Sequence, residues 1–488
     1  MIKSTETIYS SRWLLISSFL FIGLVAASLL LNNSKLQMLA AMLAVSLPLI
    51  YLLLYKMQAV VFFTIFIIPL SFPLKLPGGT VVSFPAEMLA GILAVFYVLY
   101  RLVTSVKLDN KILRHPLTIL VMMDFAWLVI STLFSEIPVV SIKRIVVRFS
   151  FMTVFFFAFS VLFTKFRNIS RVFLLYGLGL LIPVLSTLYN HSQYGFVKAV
   201  SFMMTKPFYN DHTQYATCIA YVLPLLGVII ALPEKFGVSR KFRILLIMLS
   251  VILIAGEIFS FSRAAWLSIF VAVIVGVLVA FFRFRLIHFM LATVLAGAVI
   301  FYYRADIIDY VEKVDAVSRS TDTEDHMKSV MNIETDASNL ERINRWQCAL
   351  RMFEDRPVSG FGPGTYQFIY GKYQVSSERT RISTDSGDRG NAHSEYLTYL
   401  SETGIPGFII FNILLLVSIN TAIRIYRKSS RKEVRWLGLA ILMGFFTYFF
   451  HGLFNSFMDT DKASILVYGT FAALVALDVN FRGSGEEG

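Results

Sequence analysis

The chain alternates between apolar runs of about twenty residues and short polar connectors, a unit length that matches the roughly 30 Å hydrocarbon core of a bilayer. The runs fall at 13–31, 37–55, 58–75, 86–104, 116–135, 149–165, 171–189, 214–232, 243–261, 264–282, 285–303, 405–424, 435–454 and 463–480. They predict an all-α polytopic membrane protein with about 14 transmembrane helices, the third and sixth of them short. One polar segment breaks the rhythm. The expected organisation is helices 1–11 over residues 1–303, a long loop over 304–404, helices 12–14 over 405–480, and a tail at 481–488.

The loop has its own pattern. In LERINRWQCALRMFEDRP, Ile343, Trp346, Ala349, Leu350 and Phe353 recur at helical spacing, and Pro357 stops the predicted helix. FGPGTYQF then turns on Gly362, Pro363 and Gly364. Residues 315–338 and 372–391 are polar and poor in aromatics, and read as mobile. No internal repeat is visible.

Composition agrees with a bilayer as the main solvent. Of 488 residues, 57% are hydrophobic and 15% charged, with a mean hydropathy of +0.69. A soluble globule could not hide so much apolar surface. Two cysteines, Cys218 and Cys348, provide neither a disulfide framework nor a thiolate metal site. The net charge of +13 would fit nucleic-acid binding if the cations were clustered on one soluble face. Instead they follow topology. With a cytoplasmic N-terminus, the inner connectors hold Lys56, RLVTSVKLDNKILRH (101–115), TKFRNISR (164–171), PEKFGVSRKFR (233–243), RFR (283–285) and IYRKSSRKEVR (425–435). This positive-inside pattern predicts cytoplasmic termini, a loop on the outer face and no nucleic-acid partner. The first run follows Lys3 and Arg12, lacks a small-residue cleavage site, and reads as a retained span.

The polar residues that remain gather on the outer side. SIKRIVVR (141–148) is the exception to the charge pattern. Its Arg144 and Arg148 share one helical face and could clamp a single anion, or simply form a solvated helix end. Arg263 lies in the very short connector FSFSRAAWL; it reads as a phosphate ligand, as a snorkelling side chain, or as the partner of Glu257. His393 can take a proton from a hydroxyl at neutral pH, with Glu395 or Glu402 as candidates to orient it, or it packs where loop meets span. Asn210, His212, Arg342, Glu395 and Tyr396 are candidate substrate contacts, although His212 could equally cap a helix. A zinc site from Asp211, His212, His393 and Asp459 lacks any recognised ligand spacing, so no metal or other cofactor is expected. A flippase would need charges lining a path through the membrane, and only Asp124, Glu257 and Glu87 are placed for that.

R-x3-L at Arg263–Leu267 and H-x10-G at His393–Gly404 resemble the paired motifs of the O-antigen ligase family, within the wider superfamily that includes O-antigen polymerases. The loop pattern is similar too: Arg342, Trp346 four residues later, D-x-P at Asp355–Pro357, and the G-x-G-P-G turn at Gly360–Gly364. The resemblance covers about residues 120–460, and fourteen spans exceed the roughly twelve usual in the ligase branch. It implies a GT-C-like glycosyltransferase of the bacterial inner membrane that uses an undecaprenyl diphosphate-linked glycan donor. The acceptor would be lipid A–core or another glycan, met on the periplasmic face among membrane lipids. It further implies catalytic roles for His393 and Arg263, with Arg144, Arg148 and Arg263 holding the diphosphate.

Overall fold

In the computed structural model the apolar runs that fall among the described residues form helices. The structure describes residues 34–75, 81–104, 107–282, 284–303, 326–379, 383 and 390–481. The chain divides into two units, residues 1–63 and 64–488. The first is represented by most of helix α1 (Ser34–Ile67), which leaves helical geometry at Lys56 (φ −140°, ψ 34°). The runs expected at 37–55 and 58–75 are thus one broken helix. The run at 13–31 lies outside the described residues.

In the second unit α1 ends, a turn of 3₁₀ helix follows, and the chain forms a two-stranded antiparallel hairpin of β1 (Phe72–Lys75) and β2 (Val81–Phe84). Pro69 and Pro73 explain why the apolar stretch does not continue as a helix to residue 75. Then come α2 (Ala86–Thr104), α3 (Pro116–Leu133), α4 (Pro138–Leu162), α5 (Phe166–Ser192), α6 (His212–Ala231), α7 (Arg240–Ile258), α8 (Arg263–Phe281) and α9 (Leu286–Tyr302). After the loop helix α10 (His326–Asp355) follow α11 (Glu395–Lys428), α12 (Lys432–His451) and α13 (Asp461–Phe481).

Among the described residues, ten helices are long and apolar enough to cross a membrane. Two more occupy predicted runs: α7, which opens on three basic residues, and α9, which is 17 residues long. The predicted total of 14 is not reached among the described residues, partly because two runs merge in α1. Helices α13, α12 and α6 are the most enclosed of the ten. Sequence explains α13: ASILVYGTFAALVA intersperses Ala, Ser, Gly and Thr, small residues that let neighbouring backbones approach closely.

Two differences from the sequence reading bear on the site. Helix α4 begins at Pro138, eleven residues before the predicted span, and contains a π segment at Met152–Ala158. Arg144 and Arg148 therefore sit within an apolar helix rather than in a connector. Helix α10 begins at His326, within the stretch read as mobile from the sequence. Its buried face is also turned from the predicted one. Cys348, Ala349 and Met352 are buried with Phe361, Tyr366, Ile369, Tyr370 and Ala392, while Leu350 is exposed. The buried face includes Glu341, Asn344 and Arg345, whose polarity conceals it in a hydrophobic pattern. Glu341 and Arg345 satisfy each other at 2.8 Å, as buried charges must.

Candidate functional site

The site is built around a break in α11. Gly404 takes φ 68° and ψ −172°, and a β-carbon there would stand 2.2 Å from the Val358 carbonyl oxygen. Only glycine meets both demands. The break lets the Pro357–Tyr366 segment lie against the helix. Ile405 N–H donates to the Pro357 carbonyl (2.8 Å), Gly362 N–H to the Glu402 carbonyl (2.9 Å), and Phe361 N–H to the Ser401 carbonyl (3.1 Å). The Glu402 carboxylate accepts from Gly364 N–H (2.7 Å) and Tyr366 N–H (2.9 Å). From α3, Trp127 Nε1 donates to the Thr403 carbonyl and Ser131 Oγ to the Ser359 carbonyl, both at 2.8 Å. The glycine-rich turn is thereby held against the bundle by polar groups that would otherwise be unpaired.

Beside that turn lie the two arginines of α4. Being four residues apart, they present to one face. Arg144 Nη1 is 3.3 Å from Asp459 Oδ2, and Arg148 Nη2 is 3.4 Å from Asp459 Oδ1. Arg148 Nη2 also donates to the Tyr399 hydroxyl at 2.7 Å, and that hydroxyl lies 3.4 Å from Asp124 Oδ2. Arg148 is buried, yet its Nε and Nη1 have no hydrogen-bond partner among the described residues. Burial favours the neutral form of Asp459, but the two guanidiniums hold its carboxyl below the usual range. Arg144, Arg148, Pro363, Thr398, Tyr399 and Asp459 line a shared recess.

A second polar group forms around His393, which takes the left-handed conformation (φ 47°). Three bonds hold its backbone and its neighbour. His393 N–H donates to Asn391 Oδ1 (2.9 Å), Trp346 Nε1 donates to the His393 carbonyl (3.3 Å), and Asn391 Nδ2 donates to the Ser456 carbonyl (2.8 Å). Its ring Nδ1 is buried without a hydrogen-bond partner among the described residues. Burial, and then the charges of Arg345 and Arg342, push the imidazole from its ordinary value near 6.5 down to about 4, with Asp211 acting the other way. At neutral pH the ring is uncharged and can accept a proton. Asn455, which lies 3.5 Å from His451 Nδ1, also bears on the His393 ring. Connector 452–460 thus carries Asn455 beside His393 and, four residues on, Asp459 between the α4 arginines.

The predicted residues divide accordingly. Arg144 and Arg148 converge on one carboxylate. His393 and Arg342 share an environment with Asp211, and His212 stands 3.7 Å from Asp211, the residue that caps α6 through Thr213 N–H. Asn210 is exposed just before that cap. Arg263 is exposed at the start of α8, near Lys198, and makes no ion pair with Glu257 or any other described residue. Glu395 is occupied. It accepts from the Tyr448 hydroxyl (2.7 Å), Ser456 Oγ (3.0 Å), Phe457 N–H (2.5 Å) and Met458 N–H (2.7 Å), so it positions the connector rather than the His393 ring. Tyr396 donates to the Phe449 carbonyl at 3.2 Å and lines an apolar cavity of about 490 Å³ with residues of α9, α11 and α12. Among the described residues no three His, Cys, Asp or Glu side chains form a metal-holding group.

Sequence reasoning passed over Tyr399 and gave Asp459 only a metal-site role. Asp459 carried a usable signal: an acid on the connector following α12, on the same outer side as the out-of-pattern Arg144 and Arg148. Tyr399 carried none.

The search of curated proteins finds no match to the chain. Residues 248–412 match the family model described as O-antigen ligase. The matched region runs from α7 into α11 and contains both Arg263 and His393, whereas Arg144, Arg148 and Asp459 lie outside it. With ten helices long and apolar enough to cross a membrane among the described residues, and both paired motifs inside the matched region, the chain is similar to the O-antigen ligase family over residues 248–412.

Proposed function

We propose that the protein transfers an O-antigen-type glycan from undecaprenyl diphosphate to a hydroxyl of lipid A–core, on the periplasmic face of the bacterial inner membrane. The family implies membrane glycan transfer of the ligase or polymerase type. The observation that carries the finer reading is Arg148, a buried guanidinium with two nitrogens left without partners beside Arg144. Leaving such donors unmade is costly, and a diphosphate supplies the acceptors they lack.

In this reading the diphosphate lies against Arg144 and Arg148, with Arg263 engaging the donor at the mouth. His393, uncharged at neutral pH, takes the proton from the acceptor hydroxyl. The freed oxygen attacks the anomeric carbon, and the bond from that carbon to the diphosphate oxygen breaks. The leaving diphosphate keeps the electron pair, and the guanidiniums stabilise its charge. One displacement inverts the anomeric centre. The apolar cavity at Tyr396 offers a place for the polyprenyl chain, being lined by Phe289, Leu416, Phe445 and Phe449. The turn at Gly360–Gly364 lies over Arg144 and helps to exclude water.

The experiment is reconstitution of purified protein with a lipid-linked glycan donor, and either lipid A–core or a second lipid-linked unit as acceptor. Glycan appearing on lipid A–core supports the proposal. A ladder of lengthened lipid-linked product without it supports a polymerase, and vectorial movement of donor without any new glycosidic bond supports a flippase.

A further inference from the structure

The opposite end of the bundle holds a feature the transfer reaction does not use. From Arg144, α4 runs to Leu162, about 27 Å away at 1.5 Å per residue. Near that end, the starts of α5 and α12 and the connector between α6 and α7 surround a pocket of about 410 Å³. Lys165, Arg167, Arg171, Lys235 and Arg431 line it, and no acidic residue does. Glu433 stands 2.9 Å from Arg431 and also feels the charge of Lys235, whereas Lys165, Arg167 and Arg171 form no ion pair among the described residues. Glu234 is exposed beside Lys235. Like charges concentrated this way repel unless an anion joins them.

Local backbone adds to the field. Lys165 and Arg431 are the N-cap residues of α5 and α12, and neither caps its helix with its side chain. Two helix starts, each carrying partial positive charge, thus adjoin the same pocket. The floor is aromatic: Phe166 stacks on Phe236 at 5.7 Å, meets Phe481 edge-on at 5.5 Å, and lies under the Arg431 guanidinium at 5.1 Å. The pocket sits at the level where apolar helices end, so its ligand combines an anionic phosphate with an apolar body in the bilayer.

We propose that this pocket binds the headgroup phosphate of an anionic glycerophospholipid. The site is separate from the proposed diphosphate site, and the inference does not rest on the transfer reaction. Binding would tie α5, α12 and the α6–α7 connector together at one membrane surface, and would weaken as ionic strength rises.

The test places the full-length protein in nanodiscs of phosphatidylcholine doped with phosphatidylglycerol, and measures retained lipid by native mass spectrometry. We expect phosphatidylglycerol to be retained at least about tenfold over phosphatidylcholine. The Arg167→Gln/Arg171→Gln variant should lose most of that preference. The Arg240→Gln/Lys241→Gln variant, which removes two cations outside the pocket, should keep it. Equal retention of the two lipids, or equal losses in the two variants, would overturn the pocket assignment. Inorganic phosphate is the second arm. If millimolar phosphate displaces the lipid completely, the site takes free phosphate and the lipid assignment fails.

Discussion

Arg148→Lys separates the chemistry of a guanidinium from its charge. The wild-type side chain donates through Nη2 to Tyr399 at 2.7 Å and stands 3.4 Å from Asp459, while Nε and Nη1 are unpartnered. Lysine keeps the charge near Asp459 and Tyr399 but cannot present the planar fork. The loss is two charge-assisted hydrogen bonds to the diphosphate at about 1.5 kcal/mol each, roughly 3 kcal/mol, or about a hundredfold at 1.4 kcal/mol per factor of ten. The assay is glycan transfer by purified protein in nanodiscs, with kcat/KM for the lipid-linked donor as the readout. Helix content and elution volume are measured alongside, so that a folding defect is seen as one. Arg148→Ala is a poorer probe, because removing one partner of a buried ion pair costs about 3–5 kcal/mol of stability in its own right. A Lys variant within threefold of wild type would refute the assignment of the unpartnered nitrogens to donor phosphate. So would a loss that merely tracks the fraction of folded protein.

Further outcomes follow from the same geometry. His393→Ala should abolish transfer while leaving donor binding intact, as measured by retention of labelled donor; normal product would remove His393 from the mechanism. Because burial and two arginines lower its pKa to about 4, the wild-type rate should stay flat from pH 8 to about 5. It should fall only as pH approaches 4, where the imidazole takes a proton; an inflection between pH 6 and 7 assigned to His393 would contradict this. The same depression means that His393 contributes stability above its unfolded value near 6.5, lost as pH falls toward 4. Gly404→Ala should destabilise the protein by about 1–3 kcal/mol or more, through positive φ and the collision with Val358; an unchanged thermal midpoint would argue that the break is not built on glycine. Arg263→Lys should raise the donor KM without restoring wild-type transfer, whereas full activity would reduce Arg263 to a simple positive charge.

The spans were legible because burial in lipid and burial in protein ask the same thing of an apolar run. That equivalence fails where a polar side chain is buried inside protein. Arg144 and Arg148 cut the predicted sixth span short, yet α4 continues through both because Asp459 and Tyr399 receive them. The loop helix was legible as a helix, but Glu341, Asn344 and Arg345 disguised which side faces inward. Pairings such as Glu341 with Arg345 within one helix turn can be guessed from spacing. Those between Arg148 and residues 251 and 311 positions later cannot, since nothing local encodes them.

The candidate base and the candidate phosphate site reach one another through a segment with little sequence signature. Connector 452–460 donates three hydrogen bonds to the Glu395 carboxylate, from Ser456, Phe457 and Met458, and Tyr448 of α12 donates a fourth. Asn391 holds the same connector at the Ser456 carbonyl, two residues before His393. Glu395 follows His393 by two residues, so the backbone that carries the imidazole is pinned on both sides to the backbone that carries Asp459. A buried carboxylate with its acceptors filled resists displacement, because each bond released would leave a donor unpaired in a dry interior. On the proposed mechanism, Glu395 would act on transfer by fixing the spacing between His393 and the α4 arginines, without touching the reacting atoms. That separates its role from theirs: a positioning carboxylate acts on the alignment of acceptor and donor, and a near-attack geometry is sensitive to displacements of about 1 Å.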